Sequence, residues 1–139
     1  MKKILILSFI SLLFIAGTCK KEGEDCHHRI TINNNSDEDV FFQVGLIYPD
    51  TTLSDNDNPL PAGNYYKCLA NSSAVDFTSS CWESYFHNAP VDTLMMFIFD
   101  SNILETVPWD TVCANYMILK RYDLSLKDLQ NSDWTIVYP

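Results

Sequence analysis

Residues 93–99 read TLMMFIF: one threonine, then six large apolar side chains in a row, edged by Pro90 and Asp100. The run is shorter than an ordinary buried helix and lacks the alternation of a half-exposed strand, so it predicts a central β-strand buried on both faces. Elements that can surround it lie on either side. Residues 40–48 (VFFQVGLIY) are rich in aromatic and branched side chains and read as a strand. Before them, Ile30 and Ile32 alternate with Arg29, Thr31 and Asn33, and the cluster 33–37 (NNNSD) is a turn, so these two strands are expected to form a hairpin. Further strands are expected at 74–78, at 116–122 (YMILKRY) and at 134–138 (WTIVY). Helical turns are expected at 81–87 (CWESYFH), from Pro108 to Tyr116, and at 126–130, where Ser125 followed by Asp128 makes a capping box. Six or so strands with two or three helical turns predict a mainly β, antiparallel β-sandwich-like single domain over residues 27–139. The long stretch 49–64 (PDTTLSDNDNPLPAGN) has three prolines and no apolar period and reads as a loop.

The chain opens MKKILILSFISLLFIAGTC, a basic start, an apolar run at residues 4–15 and small residues leading into Cys19. The run is too short to span a bilayer comfortably, so residues 1–18 read as a cleaved signal peptide. Ala16, Gly17, Thr18 and Cys19 resemble a bacterial lipobox, which implies acylation of Cys19 and attachment to the membrane through that lipid. Residues 19–26, with KKEGED at their centre, then read as a flexible tether. Removal of residues 1–18 leaves 121 residues, enough for one domain, and loss of Lys2 and Lys3 takes the formal charge from −9 to −11. A chain this acidic, without a basic stripe, is not expected to bind nucleic acid.

Four cysteines remain once Cys19 is committed to lipid, an even set for an exported protein. Cys68 with Cys81 closes a short polar loop worth about 3 kcal/mol by chain entropy, which favours that pair and leaves Cys26 for Cys113, although three connectivities are open. Cys26, His27 and His28 look like metal ligands, but adjacent strand residues point to opposite faces, and no metal or cofactor is expected. Asp55, Asn56, Asp57 and Asn58 resemble the start of a calcium loop, yet Leu60 and Tyr66 occupy the positions of its glycine and bidentate glutamate. Among the aromatics, Trp82 and Trp109 are the candidates for a glycan-stacking platform. Asp50-Thr51-Thr52, Asp92-Thr93-Leu94 and Asp110-Thr111-Val112 each resemble the Bacteroidetes O-glycosylation sequon, and loop placement favours Thr51 over Thr93 and Thr111. No GxSxG, HExxH or P-loop is present, and beyond the tether the glutamates are Glu38, Glu83 and Glu105, so a hydrolase would have to assemble its carboxylates through tertiary structure.

With the signal, the tether and the ending RYDLSLKDLQNSDWTIVYP in view, the chain resembles a family of small Bacteroidetes lipoproteins without an assigned activity. These carry a Cys-His first strand running into an Asn/Ser turn and a similar Arg-Tyr, helical-turn, Trp-Thr, Tyr-Pro ending. The resemblance implies a lipid anchor at the outer membrane, facing outward or into the periplasm, and transfers no catalytic residue. The expectation is a non-catalytic, lipid-anchored cell-envelope protein that serves as a binding or interaction module whose ligand, another envelope protein or a glycan, the sequence leaves open, with an extracellular glycan-binding module and a loop-carboxylate hydrolase as the alternatives.

Overall fold

The computed structural model describes residues 22–23, 25–90 and 92–139, so residues 1–18, read as a signal peptide, and Cys19, read as a lipidation site, lie outside the described residues. The chain is mainly β. Strands β1 (Arg29–Asn34), β4 (Ser72–Phe77) and β7 (Thr135–Tyr138) form one sheet in the order β4-β1-β7. Strands β2 (Val40–Gly45), β3 (Lys67–Cys68), β5 (Thr93–Asp100) and β6 (Lys120–Ser125) form the other, in the order β3-β2-β5-β6. Four short helices accompany them: α1 (Trp82–Asn88), α2 (Ser101–Thr106), α3 (Trp109–Ala114) and α4 (Leu126–Asn131). All strand pairs are antiparallel except β1 with β7, which run parallel.

Strand β5 is the centre, as its composition demands. It lies between β2 and β6, with Phe42 opposite Ile98 and Met96 opposite Tyr122. Leu94, Met96 and Ile98 point into the space between the sheets, where they meet Ile30, Ile32 and Ile136 from the three-stranded sheet. Met95, Phe97 and Phe99 point the other way and are covered by Leu104 of α2, Val112 of α3 and the loop residues Leu53 and Leu60. Burying each such side chain is worth about 1.5–3 kcal/mol before the entropy of ordering it, so this second core holds the long loop down through Leu53 and Leu60. The expected loop 49–64 is therefore ordered against the sheet, with 3-10 turns at Asp55–Asp57 and Leu60–Tyr66. Gly45 permits one close approach here: a Cβ at this position would lie 2.7 Å from the Phe97 ring.

Three local expectations need correction. Strands β1 and β2 do not form a hairpin but belong to different sheets. The reason is Asn34, whose buried side chain turns the corner: its Nδ2 donates to the carbonyls of Glu38 (2.8 Å), Cys68 (3.3 Å) and Leu69 (3.1 Å), and its Oδ1 accepts from Ser36 N–H and Oγ. Next, the strand after α3 begins only at Lys120, because Tyr116 takes a left-handed φ of 49° and Met117 N–H bonds back to Val112. Finally, α2 was not anticipated; Asp100 ends β5 and caps the helix at once, its carboxylate accepting from Ile103 N–H at 3.1 Å. The capping box of Ser125 and Asp128 is formed as expected and starts α4.

Strand β4 breaks the usual alternation. Asp76, opposite Ile30, faces inward and is 7% exposed, while Val75 and Phe77 face out. Burial pushes the Asp76 carboxyl up to about 6, against a smaller opposing effect of the Phe77 N–H.

Two stability measurements follow from these groups. Asn34→Ala strands three carbonyls and is expected to cost about 2–4 kcal/mol in urea unfolding. For Asp76, protonation favours the folded state, so its contribution of about 2–3 kcal/mol is full below pH 3.8 and is lost as the pH rises through about 6. Asp76→Asn should flatten that part of the stability-against-pH curve; an unchanged slope between pH 4 and 6.5 would contradict the buried carboxyl.

Candidate functional site

Helix α1 organises the end of the molecule where polar and aromatic groups converge. Trp82 and Phe86, one turn apart, bury one side of it in the inter-sheet core, which leaves Glu83, Ser84, His87 and Asn88 at the surface. Its first turn is fastened to the chain ahead of β1. Trp82 N–H donates to the His27 carbonyl at 2.8 Å, and Cys81, the residue before the helix, is disulfide-bonded to Cys26. The last residue of the segment read as a tether is thus tied into the domain.

This bridge corrects the expected pairing of Cys68 with Cys81 and Cys26 with Cys113. Cys68 is 1% exposed between the sheets, where its thiol donates to the carbonyls of Ile32 and Ser72. Cys113 belongs to α3, in the layer on the opposite face of the four-stranded sheet. Favouring the shorter loop was the wrong weighting: the observed bridge spans a sequence separation of 55, for which the chain-entropy model gives about 4 kcal/mol. Burial pushes both free thiols up from their ordinary range, which leaves neither as a ready nucleophile.

Neighbouring histidines go to different partners. His27 directs its ring Nδ1 and its backbone N–H to the Glu83 carboxylate, and stacks on Trp134 with ring centres 4.5 Å apart. Burial works to raise the Glu83 carboxyl, but the His27 hydrogen bonds outweigh it and hold the group below its usual range. Trp134 sits at a left-handed φ of 56°, a conformation bulky residues rarely adopt, and its place in the core offsets that strain. His28 is buried and points to the disulfide, so that Cys26, His28 and Cys81 present their side-chain ligand atoms within 4.8 Å of one another. Strand alternation separates the two histidines, but this grouping has no sequence signal because Cys81 comes from a distant segment.

Clefts flank α1 on both sides. One of about 460 Å³ is lined by Leu46, Thr78, Ser80, Trp82, Tyr85 and Asn88. The other, of about 550 Å³, has Glu83, His87, Asp92 and Leu126 in its walls. Trp82 is 6% exposed and Trp109 is half-buried, with its Nε1 donating to the Ser54 carbonyl at 3.0 Å and its ring against Phe99. They belong to separate cores on the two faces of the four-stranded sheet, so they cannot make one glycan platform.

Other candidate residues are scattered. The oxygens of the calcium-like stretch serve local structure: Asp57 accepts from Ser54 N–H and Oγ, and Asn58 from Leu60 N–H. Thr111 is exposed on α3, while Thr51 and Thr93 are both half-buried, so its loop gives Thr51 no clear advantage in exposure over Thr93. Glu38 and Glu105 share a small cleft around Lys67, whose ammonium is 3.0 Å from Glu105 and 3.4 Å from Asp39; Glu83 is elsewhere, on α1.

A second surface comes from the inverted strand. The outer face of the three-stranded sheet carries Val75, Phe77 and Val137, respectively 42%, 50% and 46% exposed, with Thr31 between Val75 and Thr135. Arg29 is the one charged residue among the outward positions of these strands, and it lies 3.9 Å from Glu22. Sequence alternation alone would have pointed Val75 and Phe77 inward and Asp76 out.

The cysteine assignment is checked by counting thiols on the full chain with Cys19→Ser. Without reductant, Cys113 alone should react in the native state, and Cys68 should join it after unfolding. Four reactive thiols on unfolding would contradict the Cys26–Cys81 bridge, and none would contradict the free state of Cys68 and Cys113.

No protein-family model matches the chain, and no match was found among curated proteins or among solved structures.

Proposed function

We propose that this chain is a non-catalytic binding module of the bacterial cell envelope, carried on a lipid at Cys19 and docking a second envelope protein through the outer face of the β4-β1-β7 sheet. The observation that supports this is the inversion of β4. Burying Asp76 while leaving Val75 and Phe77 in water costs stability twice, and a departure of this kind from the folding pattern is expected where a surface serves recognition. In a chain of formal charge −9 the face is also nearly free of charge, as the centre of a protein interface tends to be. The signal-like start, the lipobox resemblance and the acidic tether support placement at the outer membrane of a Bacteroidetes-type envelope. A glycan ligand is the second reading, now favoured by the hydroxyl and amide groups of Thr78, Ser80, Tyr85 and Asn88 in the cleft beside α1 rather than by a tryptophan platform.

The test is a photo-crosslinking residue at Thr31, in the middle of the face, in intact cells. A discrete adduct to one envelope protein is expected. Phe77→Asp should abolish it while changing unfolding free energy by no more than about 0.5 kcal/mol, and Lys120→Asp, on the other sheet, should leave it intact. Absence of an adduct, or one indifferent to Phe77→Asp, rejects this face as the docking surface. Labelling with palmitate that is equal in the wild type and Cys19→Ala rejects the anchor.

A further inference from the structure

We propose that reduction of the Cys26–Cys81 disulfide opens a site for a thiophilic cation of the zinc class, held by the two cysteine sulfurs and His28 Nε2. The first support is the setting of His28. Its ring is 5% exposed, and its Nδ1 lies 3.2 Å from the Thr78 carbonyl, a group that can only accept, so Nδ1 carries the proton. In the neutral ring that leaves a lone pair on Nε2, which lies 3.4 Å from Cys26 Sγ. A disulfide sulfur has no proton to donate, so among the described residues the lone pair has no donor while the bridge is closed. An imidazole held by a backbone carbonyl at one nitrogen, with the other facing sulfur, has the arrangement that orients histidine for metal ligation.

The second support is that the site does not depend on the bridge for its assembly. Thr78 N–H donates to the His28 carbonyl at 2.9 Å, and Trp82 N–H donates to the His27 carbonyl at 2.8 Å. These two bonds bracket the cluster and hold the 26–28 and 78–82 segments in register when the sulfurs separate. Cys81 is further fixed as the residue preceding α1, whose Trp82 and Phe86 are packed in the core. Two thiolates and one imidazole suit zinc or a similar soft ion rather than calcium or magnesium, with the fourth position open to water. The chemistry balances as two steps. A dithiol reductant takes up the disulfide's oxidising equivalents, giving two protein thiols and its own disulfide. The cation then displaces one proton from each thiol and is bound by both sulfurs and the Nε2 lone pair.

Cobalt(II) is the probe, added without oxygen to the full chain carrying Cys19→Ser and Cys113→Ser, after reduction with a phosphine. One equivalent should bind with a thiolate-to-cobalt charge-transfer band, zinc should displace it, and the oxidised protein should show no band. His28→Ala should weaken binding at least ten-fold. A reduced protein without the band, or one bound equally well by His28→Ala, overturns the proposal. Where reduction costs the circular dichroism of the fold, the midpoint potential of Cys26–Cys81 is read against zinc instead. It should rise by about 30 mV for each ten-fold increase in free zinc above the dissociation constant. No rise, or the same rise in His28→Ala, overturns it equally.

Discussion

Six consecutive buried side chains on β5 leave the four-stranded sheet without a face that can meet water, and the architecture is the set of coverings this requires. The three-stranded sheet covers one side with Ile30, Ile32 and Ile136. The other side has no second sheet; two helices of six residues each and the 49–64 segment cover it with Leu104, Val112, Leu53 and Leu60. A short helix or a polar loop is not stable alone, so both derive their order from β5. The outermost surface of the three-stranded sheet is what remains after these demands are met, and Val75, Phe77 and Val137 are left in water on it, as Ile47 and Leu69 are elsewhere on the molecule.

The parts legible in the sequence were those where local chemistry and burial agree. TLMMFIF gave β5, Ser125 and Asp128 gave the α4 cap, and the aromatic and branched run gave β2. What escaped was decided by contacts between distant residues. The corner at Asn34 reads as a hairpin turn unless one knows that its amide reaches the Cys68 and Leu69 carbonyls. The inversion of β4 escapes for a related reason: SSAVDF has too weak an alternation to oppose whichever face its neighbours impose. The pair of Cys26 with Cys81, and with it the grouping of His28, depends on α1 packing beside β1, which no spacing rule encodes. Proximity of Trp82 and Trp109 to helix ends likewise says nothing of which core each ring joins, and they pack on opposite faces of the four-stranded sheet.

Around α1 the same short segment, Cys26 to His28, takes part in three different couplings: a covalent bond to Cys81, hydrogen bonds to Glu83, and a ring stack on Trp134. Removing any one leaves the others to hold the start of β1, which makes this end of the domain redundant in its fastenings. The proposed docking face lies on the same sheet and is not wholly separate from this end, since the His28 ring lies 6.1 Å from that of Phe77.

The bridge also decides how the domain bears load. A pull on the chain ahead of Cys26 meets a branch point: one path runs along β1, the other crosses to Cys81 and the buried side of α1. Without the branch, tension would peel β1 from β4 and β7 one rung at a time, beginning at Arg29. With it, the force is shared with a helix whose aromatic side chains must leave the core together, so unzipping gives way to a single concerted failure. In the lipid-anchored arrangement proposed above, tension would enter the domain at this branch point.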